Sequence, residues 1–147
     1  MSLSLAPVQA DDFDALFALR MGAMRESLAR LGLGDVERSR ARFQGQFEPA
    51  FMRWIVRTND AGASERIGFT KLQPVDDHLH IDHLFLRADA QGAGAGSWVI
   101  EQAQAQGRDI TLSALKLSAA NRFYLRHGFK QVGEDEYDLQ YRWSAPR

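Results

Sequence analysis

A chain of 147 residues, 45% hydrophobic and 25% charged, with a net charge of -1, is long enough to bury a substantial core and has no global field to recruit nucleic acid or an anionic membrane. Cysteine is absent, which removes disulfides, zinc–thiolate sites and cysteine nucleophiles together. No apolar run reaches the roughly 18 residues of a transmembrane helix, and the N-terminal stretch lacks the basic and long apolar regions of a signal peptide, so the expectation is one domain over residues 1–147 working in the cytoplasm.

Residues 3–9 alternate and read as a first strand, with Pro7 favouring a sheet edge. Asp11 and Asp12 then supply an N-cap and first-turn acids, and Phe13, Leu16, Phe17, Arg20, Met21 and Met24 follow at helical spacing until Leu31-Gly-Leu-Gly34. A second helix is expected from about Asp35 to about Phe47. Residues 51–58 and 66–73 read as a hairpin around the Asn59-to-Ser64 turn, and Pro74-Val-Asp-Asp77 as a turn into a strand over 79–87. Residues 92–96 open a helix reaching about Gln106. A strand over 109–117, a helix over 118–127 stopped by Gly128, and strands over 129–134 and 136–143 complete a mixed α/β chain.

The segment Leu84-Phe-Leu-Arg-Ala-Asp-Ala-Gln-Gly-Ala-Gly-Ala-Gly96-Ser97 runs from an apolar strand through three glycines into a helix. Glycine lets backbone N–H groups turn inward onto an anion, and the positive end of the helix adds to the attraction. A P-loop would need Gly-Lys-Ser/Thr where Gly96-Ser97-Trp98 stands. A dinucleotide fingerprint would need glycine at position 97 and an acid on the next strand. The pattern Gln/Arg-x-x-Gly-x-Gly/Ala is met in full by Gln91, Gly94 and Gly96. A glycine loop that binds nothing is the bland alternative.

That pattern resembles the pyrophosphate loop of the GNAT N-acetyltransferases, and Ala120-Asn-Arg-Phe-Tyr-Leu-Arg-His-Gly-Phe129 resembles the family's second signature. The resemblance covers nearly the whole chain. It implies a central, mostly antiparallel sheet splayed between the fourth and fifth strands and flanked by about four helices. It further implies acetyl-CoA as cofactor, its pantetheine arm paired with the backbone of Leu84, Phe85 and Leu86. The pyrophosphate would lie on Gln91, Gly92, Ala93, Gly94, Ala95, Gly96 and Ser97. The family's asparagine, six or seven residues before the tyrosine, is replaced by Ser118 and Leu117, so Asn121 is carried over as a cofactor contact only by proximity.

Acetyl transfer to an amine needs a neutral amine, an oxyanion donor and a proton for the leaving thiolate. The resemblance assigns the acid to Tyr124, whose alternative is a half-buried aromatic beside Phe123 and Phe129. It points to His80 and Asp82 for the base, since some members place a base at those positions; both also read as solvated polar residues. In a regular strand His80, Asp82, Leu84 and Leu86 share one face and Ile81, His83 and Phe85 the other. Two other readings stand beside the enzyme: a non-catalytic acyl-CoA-binding module, and a metal-dependent hydrolase. The second rests on His78, His80, Asp82 and His83, whose H-x-H-x-D-H order resembles the metallo-β-lactamase motif but lacks further ligands; no metal is expected.

The acceptor side is less legible. Arg20, Arg25, Arg30, Arg38, Arg40 and Arg42 crowd the first two helices, either as a solvated face or as an attractor for an acidic substrate group. Met21, Met24, Phe43, Phe47 and Trp54 read as core or as an apolar acceptor pocket. The amine acceptor, small molecule or protein, is left open, and a homodimer is an expectation at the level of the family alone.

Overall fold

The computed structural model describes residues 1–147. Strand β1 (Ser2–Pro7) pairs only with β2 (Met52–Thr58) and forms one edge of a seven-stranded sheet, where the missing N–H of Pro7 costs no ladder bond. Then come β3 (Ser64–Val75), β4 (His78–Leu86), β5 (Ile110–Leu115), β6 (Lys130–Glu134) and β7 (Asp138–Trp143), in the spatial order β1-β2-β3-β4-β5-β7-β6. Every neighbouring pair is antiparallel except β4 and β5.

Helices α1 (Phe13–Arg30) and α2 (Val36–Gln46) cover one face, and α3 (Ala95–Gln104) and α4 (Ala120–Arg126) the other. Between α1 and α2 the chain turns at Gly32, whose φ of 71° lets Leu33 N–H reach Leu28 C=O at 2.8 Å, the left-handed stop expected of a helix C-terminus. Asp35 caps α2 by accepting from Arg38 N–H at 3.0 Å. Asp12 departs from the expected capping role. Its carboxylate accepts from Gln9 N–H at 2.8 Å and Trp54 Nε1 at 3.0 Å, so it ties the start of α1 to β2.

Three clusters fill the faces, one of them joining Ile55 and Ile67 to Ala90, Ala95 and Val99. Leu16, Phe17, Phe43, Met52, Trp54 and Phe69 lie under α1 and α2. Leu79, Ile81, Ile100, Ile110, Leu112, Tyr124, Phe129 and Tyr141 lie under α3 and α4. Phe43, Phe47 and Trp54 are thus packing residues of the sheet face rather than lining of an apolar acceptor pocket.

The hairpin between β3 and β4 is tighter than its sequence suggests. Pro74 and Val75 remain in the ladder opposite Leu79 and His78, so only Asp76 and Asp77 turn, with Asp76 at φ 56°, a conformation aspartate tolerates. A larger correction concerns β4. Lys71 faces His83 while Leu72 faces Ile81, so Asp82 is an extra residue, a β-bulge. The bulge shifts the alternation by one. Leu79, Ile81, Leu84 and Leu86 pack toward α3 and α4, and His83 and Phe85 toward α1 and α2. Ile81 and His83, expected on one face, lie on opposite faces.

Candidate active site

The parallel ladder between β4 and β5 holds only three pairs: Leu79 with Ile110, His80 with Thr111, and Ile81 with Leu112. Past Ile81 the strands part. β5 stays paired with β7 through Leu115 and β4 stays paired with β3 through Leu86, so residues 82–86 present an unpaired backbone edge to the opening. An unpaired strand edge is a template for any extended chain that brings its own amides. Leu84, Phe85 and Leu86 all lie on this edge, although the Leu86 carbonyl already accepts from Gln91 Nε2 at 3.1 Å.

The glycine loop sits where β4 ends. Gly92 and Gly94 have φ of 81° and 89°, and a Cβ at either would enter open space. Residues 92–97 donate no backbone N–H to any carbonyl of the chain; the helical bonds begin with Trp98 N–H to Gly94 C=O at 3.0 Å. Six unused donors at the positive end of a ten-residue helix form a cradle for an anion. Gly96 serves a different purpose: its added Cβ would lie 3.2 Å from the Phe123 ring, so it lets α3 approach α4. The Ser97 hydroxyl meets His127 Nε2 at 3.0 Å, and Gln104 Nε2 donates to His127 C=O at 3.0 Å. His127 thereby locks α4 to α3, a role its place in the Gly-Phe block did not reveal.

Tyr124 is buried against Phe123, Phe129 and Tyr141. Burial alone pushes its phenol up, with no hydrogen bond or charge contributing, so the group stays protonated at neutral pH. Asn121, expected as a cofactor contact, is hydrogen-bonded within the chain itself. Its Nδ2 donates to Leu115 C=O at 3.0 Å and Ser118 C=O at 2.9 Å, and its Oδ1 accepts from Tyr141 OH at 2.8 Å. It braces the end of β5, where Leu117 holds a φ of 66°.

On the other face, the bulge gathers a polar cluster. Lys71 is 2% exposed; its Nζ donates to Gln46 C=O and to Glu48, both at 2.8 Å, and forms an ion pair with Asp82 at 3.1 Å. One buried ammonium therefore caps the end of α2 and orients the Asp82 carboxylate, which also lies 3.8 Å from His83 Nε2. His83, packed on Phe43, Phe69 and Phe85, is pushed down to about 4, mainly by burial and against the pull of Asp82. Burial also lowers His80, again opposed by Asp82, and its Nδ1 contacts Thr111 Oγ1 at 2.8 Å. Both imidazoles are thus held neutral near pH 7. Lys71 is the member of this cluster that sequence reasoning did not single out; His83 entered it only through the H-x-H-x-D-H order. A signal existed: Leu79, Ile81, Leu84 and Leu86 step by two, three and two, and the odd step marks the bulge.

The four histidines do not assemble a metal centre. No three histidine, aspartate or glutamate side chains converge on a common point; His78 lies beside exposed Asp77, His80 beside Thr111, and His83 among phenylalanines. A cavity of about 700 Å³ between α1 and α2, lined by Phe17, Met21, Leu28 and Val36, does not include the β4 bulge.

A mixed sheet that opens between its parallel fourth and fifth strands, with an anion cradle at the head of the opening, defines a GNAT-fold acyltransferase. The chain belongs to that family: the family model of the acetyltransferase (GNAT) domain matches residues 52–131, just over half of its length. No curated protein sequence matches it. Among solved structures it resembles the PaiA N-acetyltransferase of Thermoplasma acidophilum in complex with coenzyme A, at 14% identity and a TM-score of 0.73 over 98% of this chain and 99% of that one. It also resembles apo YjaB of Escherichia coli, at 20% identity and 0.71 over 99% and 100%. An acetyltransferase of Thermus thermophilus aligns at 21% identity and 0.69 over 97% and 96%. No helix is long and apolar enough to cross a membrane.

Proposed function

We propose that this protein is an N-acetyltransferase that moves an acetyl group directly from acetyl-CoA to an amine. The observation that carries the reading is the joining of the β4–β5 opening to a cradle of six unused N–H groups. The residues present fit the cofactor. The diphosphate suits the cradle over residues 92–97, where glycine leaves room for it. The amide-bearing arm suits the open edge of residues 82–86, a placement supported by the likeness to a structure in complex with coenzyme A. Acetyl-CoA supplies an activated acyl group whose leaving atom is a thiolate.

The chain's own residues do the rest. An ammonium arriving on the α1–α2 face meets the Asp82 carboxylate, held by Lys71, with neutral His80 and His83 beside it. These groups take up the proton that the amine must lose, directly or through water. From the α3–α4 face Tyr124 serves the leaving sulfur. A thiol titrates near 8.5 and a phenol near 10, and burial raises Tyr124 further. Full proton transfer from the phenol to the thiolate therefore runs uphill, and Tyr124 acts chiefly by hydrogen-bonding the developing negative charge.

Calorimetric titration with acetyl-CoA tests the reading, with Gly94→Glu as control. The substitution puts a carboxylate in the cradle at a φ of 89° and should weaken binding at least ~100-fold, about 2.7 kcal/mol, while the far-UV spectrum stays native. Undiminished binding in the variant would place the cofactor elsewhere, and no binding to folded wild type would refute the function.

A further inference from the structure

Arg20 is 6% exposed, yet no nitrogen of its guanidinium donates a hydrogen bond, and Nε and Nη1 are sealed from solvent with no partner. Its nearest company is aromatic: the Phe43 and Phe85 rings lie 5.8 and 5.9 Å from Cζ, close to the outer limit of a cation–π contact. The charges acting on it are Arg42, which repels it, and Asp82, which attracts it but is already bound to Lys71. His83, also buried, leaves Nε2 without a hydrogen bond in the same neighbourhood. An unsatisfied, desolvated guanidinium is costly to a fold. This one lies on the same sheet face as the carboxylate proposed to receive the amine, linked to it through Phe85 and His83.

We infer that the acceptor is a small amine of amino-acid type, whose carboxylate pairs with the Arg20 guanidinium while its amine faces Asp82. The inference rests on the transfer reading for that same face. Nη2 is the one guanidinium nitrogen not sealed from solvent; a carboxylate reaches it there, and either neighbouring nitrogen completes a bidentate pair as the packing around it opens. Arg20 packs on Phe43 and Phe85, both rings contact His83, and His83 Nε2 lies 3.8 Å from Asp82, so an unpaired cation and an anion share one face of the sheet, the mirror of an amine and a carboxylate on one small molecule. A simple alkylamine would satisfy Asp82 and leave Arg20 bare. Arg42, exposed on α2, adds positive charge without closing the site.

The test is equilibrium binding by calorimetry, in the presence of free CoA, of matched pairs that differ only in the carboxylate: L-leucine with isopentylamine, L-phenylalanine with phenethylamine, and L-lysine with cadaverine. For at least one pair the amino acid should bind about 10- to 100-fold more tightly, the range of a charge-assisted hydrogen bond. Arg20→Gln should erase that preference by weakening the amino acid alone, and Arg20→Lys should restore part of it, with CoA affinity unchanged in both. A merely structural Arg20 gives a different pattern: a lower melting temperature in Arg20→Gln and an unaltered preference. Equal or tighter binding of the decarboxylated amines, binding of no amino acid in the panel while CoA binds, or a preference that survives Arg20→Gln would overturn the inference. Acetyl transfer is scored separately by thiol release, so amino-acid binding without transfer would sink the catalytic reading and leave the carboxylate site standing.

Discussion

Replacing Tyr124 with phenylalanine isolates one hydrogen bond to a charge. The phenol is buried, has no partner within the chain and is raised by burial alone, so its removal breaks no internal contact. Stability should stay within about 1 kcal/mol of wild type, since the hydroxyl makes no hydrogen bond within the chain and is not sealed from solvent. A hydrogen bond to an ionised group contributes about 1.5–3 kcal/mol. If Tyr124 donates to the departing thiolate, turnover should therefore fall about 10- to 150-fold, while acetyl-CoA affinity, which involves no charge on sulfur, stays nearly constant. Released thiol can be followed with a chromogenic disulfide without background, because the protein has no cysteine. Equal turnover in the variant would remove Tyr124 from the chemistry. A fall traced wholly to cofactor affinity would make it a packing residue.

Other parts of the fold can be tested independently. Gly68→Ala should cost about 3 kcal/mol, since its Cβ would collide with the Phe85 carbonyl oxygen; a melting temperature lowered by roughly 6–12 °C is expected, and an unchanged one would mean the β3–β4 contact yields easily. His83 predicts a pH dependence. Its folded value of about 4 lies below the ordinary 6.5, so between those values the unfolded chain binds a proton that the folded one does not. Stability is then full above pH 6.5 and falls by up to about 3 kcal/mol as pH drops toward 4; denaturant titrations at several pH values should show this slope, flattened in His83→Asn. Lys71→Met removes three charge-assisted or carbonyl contacts and should lower turnover more than cofactor affinity, because it frees the Asp82 carboxylate; kinetics and calorimetry on the same preparation separate the two.

Elements set by local chemistry were legible in the sequence: the left-handed glycine after α4, the Asn59 turn, the apolar stripes of the helices and the glycine loop all declare themselves within a few residues. What escaped depends on partners distant in the chain. The period-2 reading of β4 assumed a regular ladder, whereas the bulge at Asp82 is stabilised from β3 and α2 through Lys71. The same long-range origin hid Asn121. Its neighbours in sequence suggest a free polar side chain on α4, but β7 brings Tyr141 to it. Arg20 was visible in another sense: it occupies an apolar-stripe position between Phe17 and Met24, where a solvated arginine does not belong.

The bulge also explains how the proposed reaction draws on two faces of one sheet. In a regular strand, residues 80 and 82 would look the same way as 84 and 86, and the polar groups would compete with Leu84 and Leu86 for the core under α3. With Asp82 as the extra residue, the apolar series stays on the α3–α4 face and His83 turns toward α1 and α2. The backbone edge of the same residues is left open because β5 has already turned toward β7. In the proposed reaction, a carboxylate on one face and a phenol on the other then act across this opening. A deletion of Asp82 makes the argument testable: it removes the extra residue, leaves His83 opposite Lys71 and on the α1–α2 side, and should abolish turnover with the carboxylate while cooperative unfolding is kept. Loss of cooperative unfolding in the deletion variant, or undiminished turnover, would show that Asp82 is not simply an extra residue carrying the carboxylate.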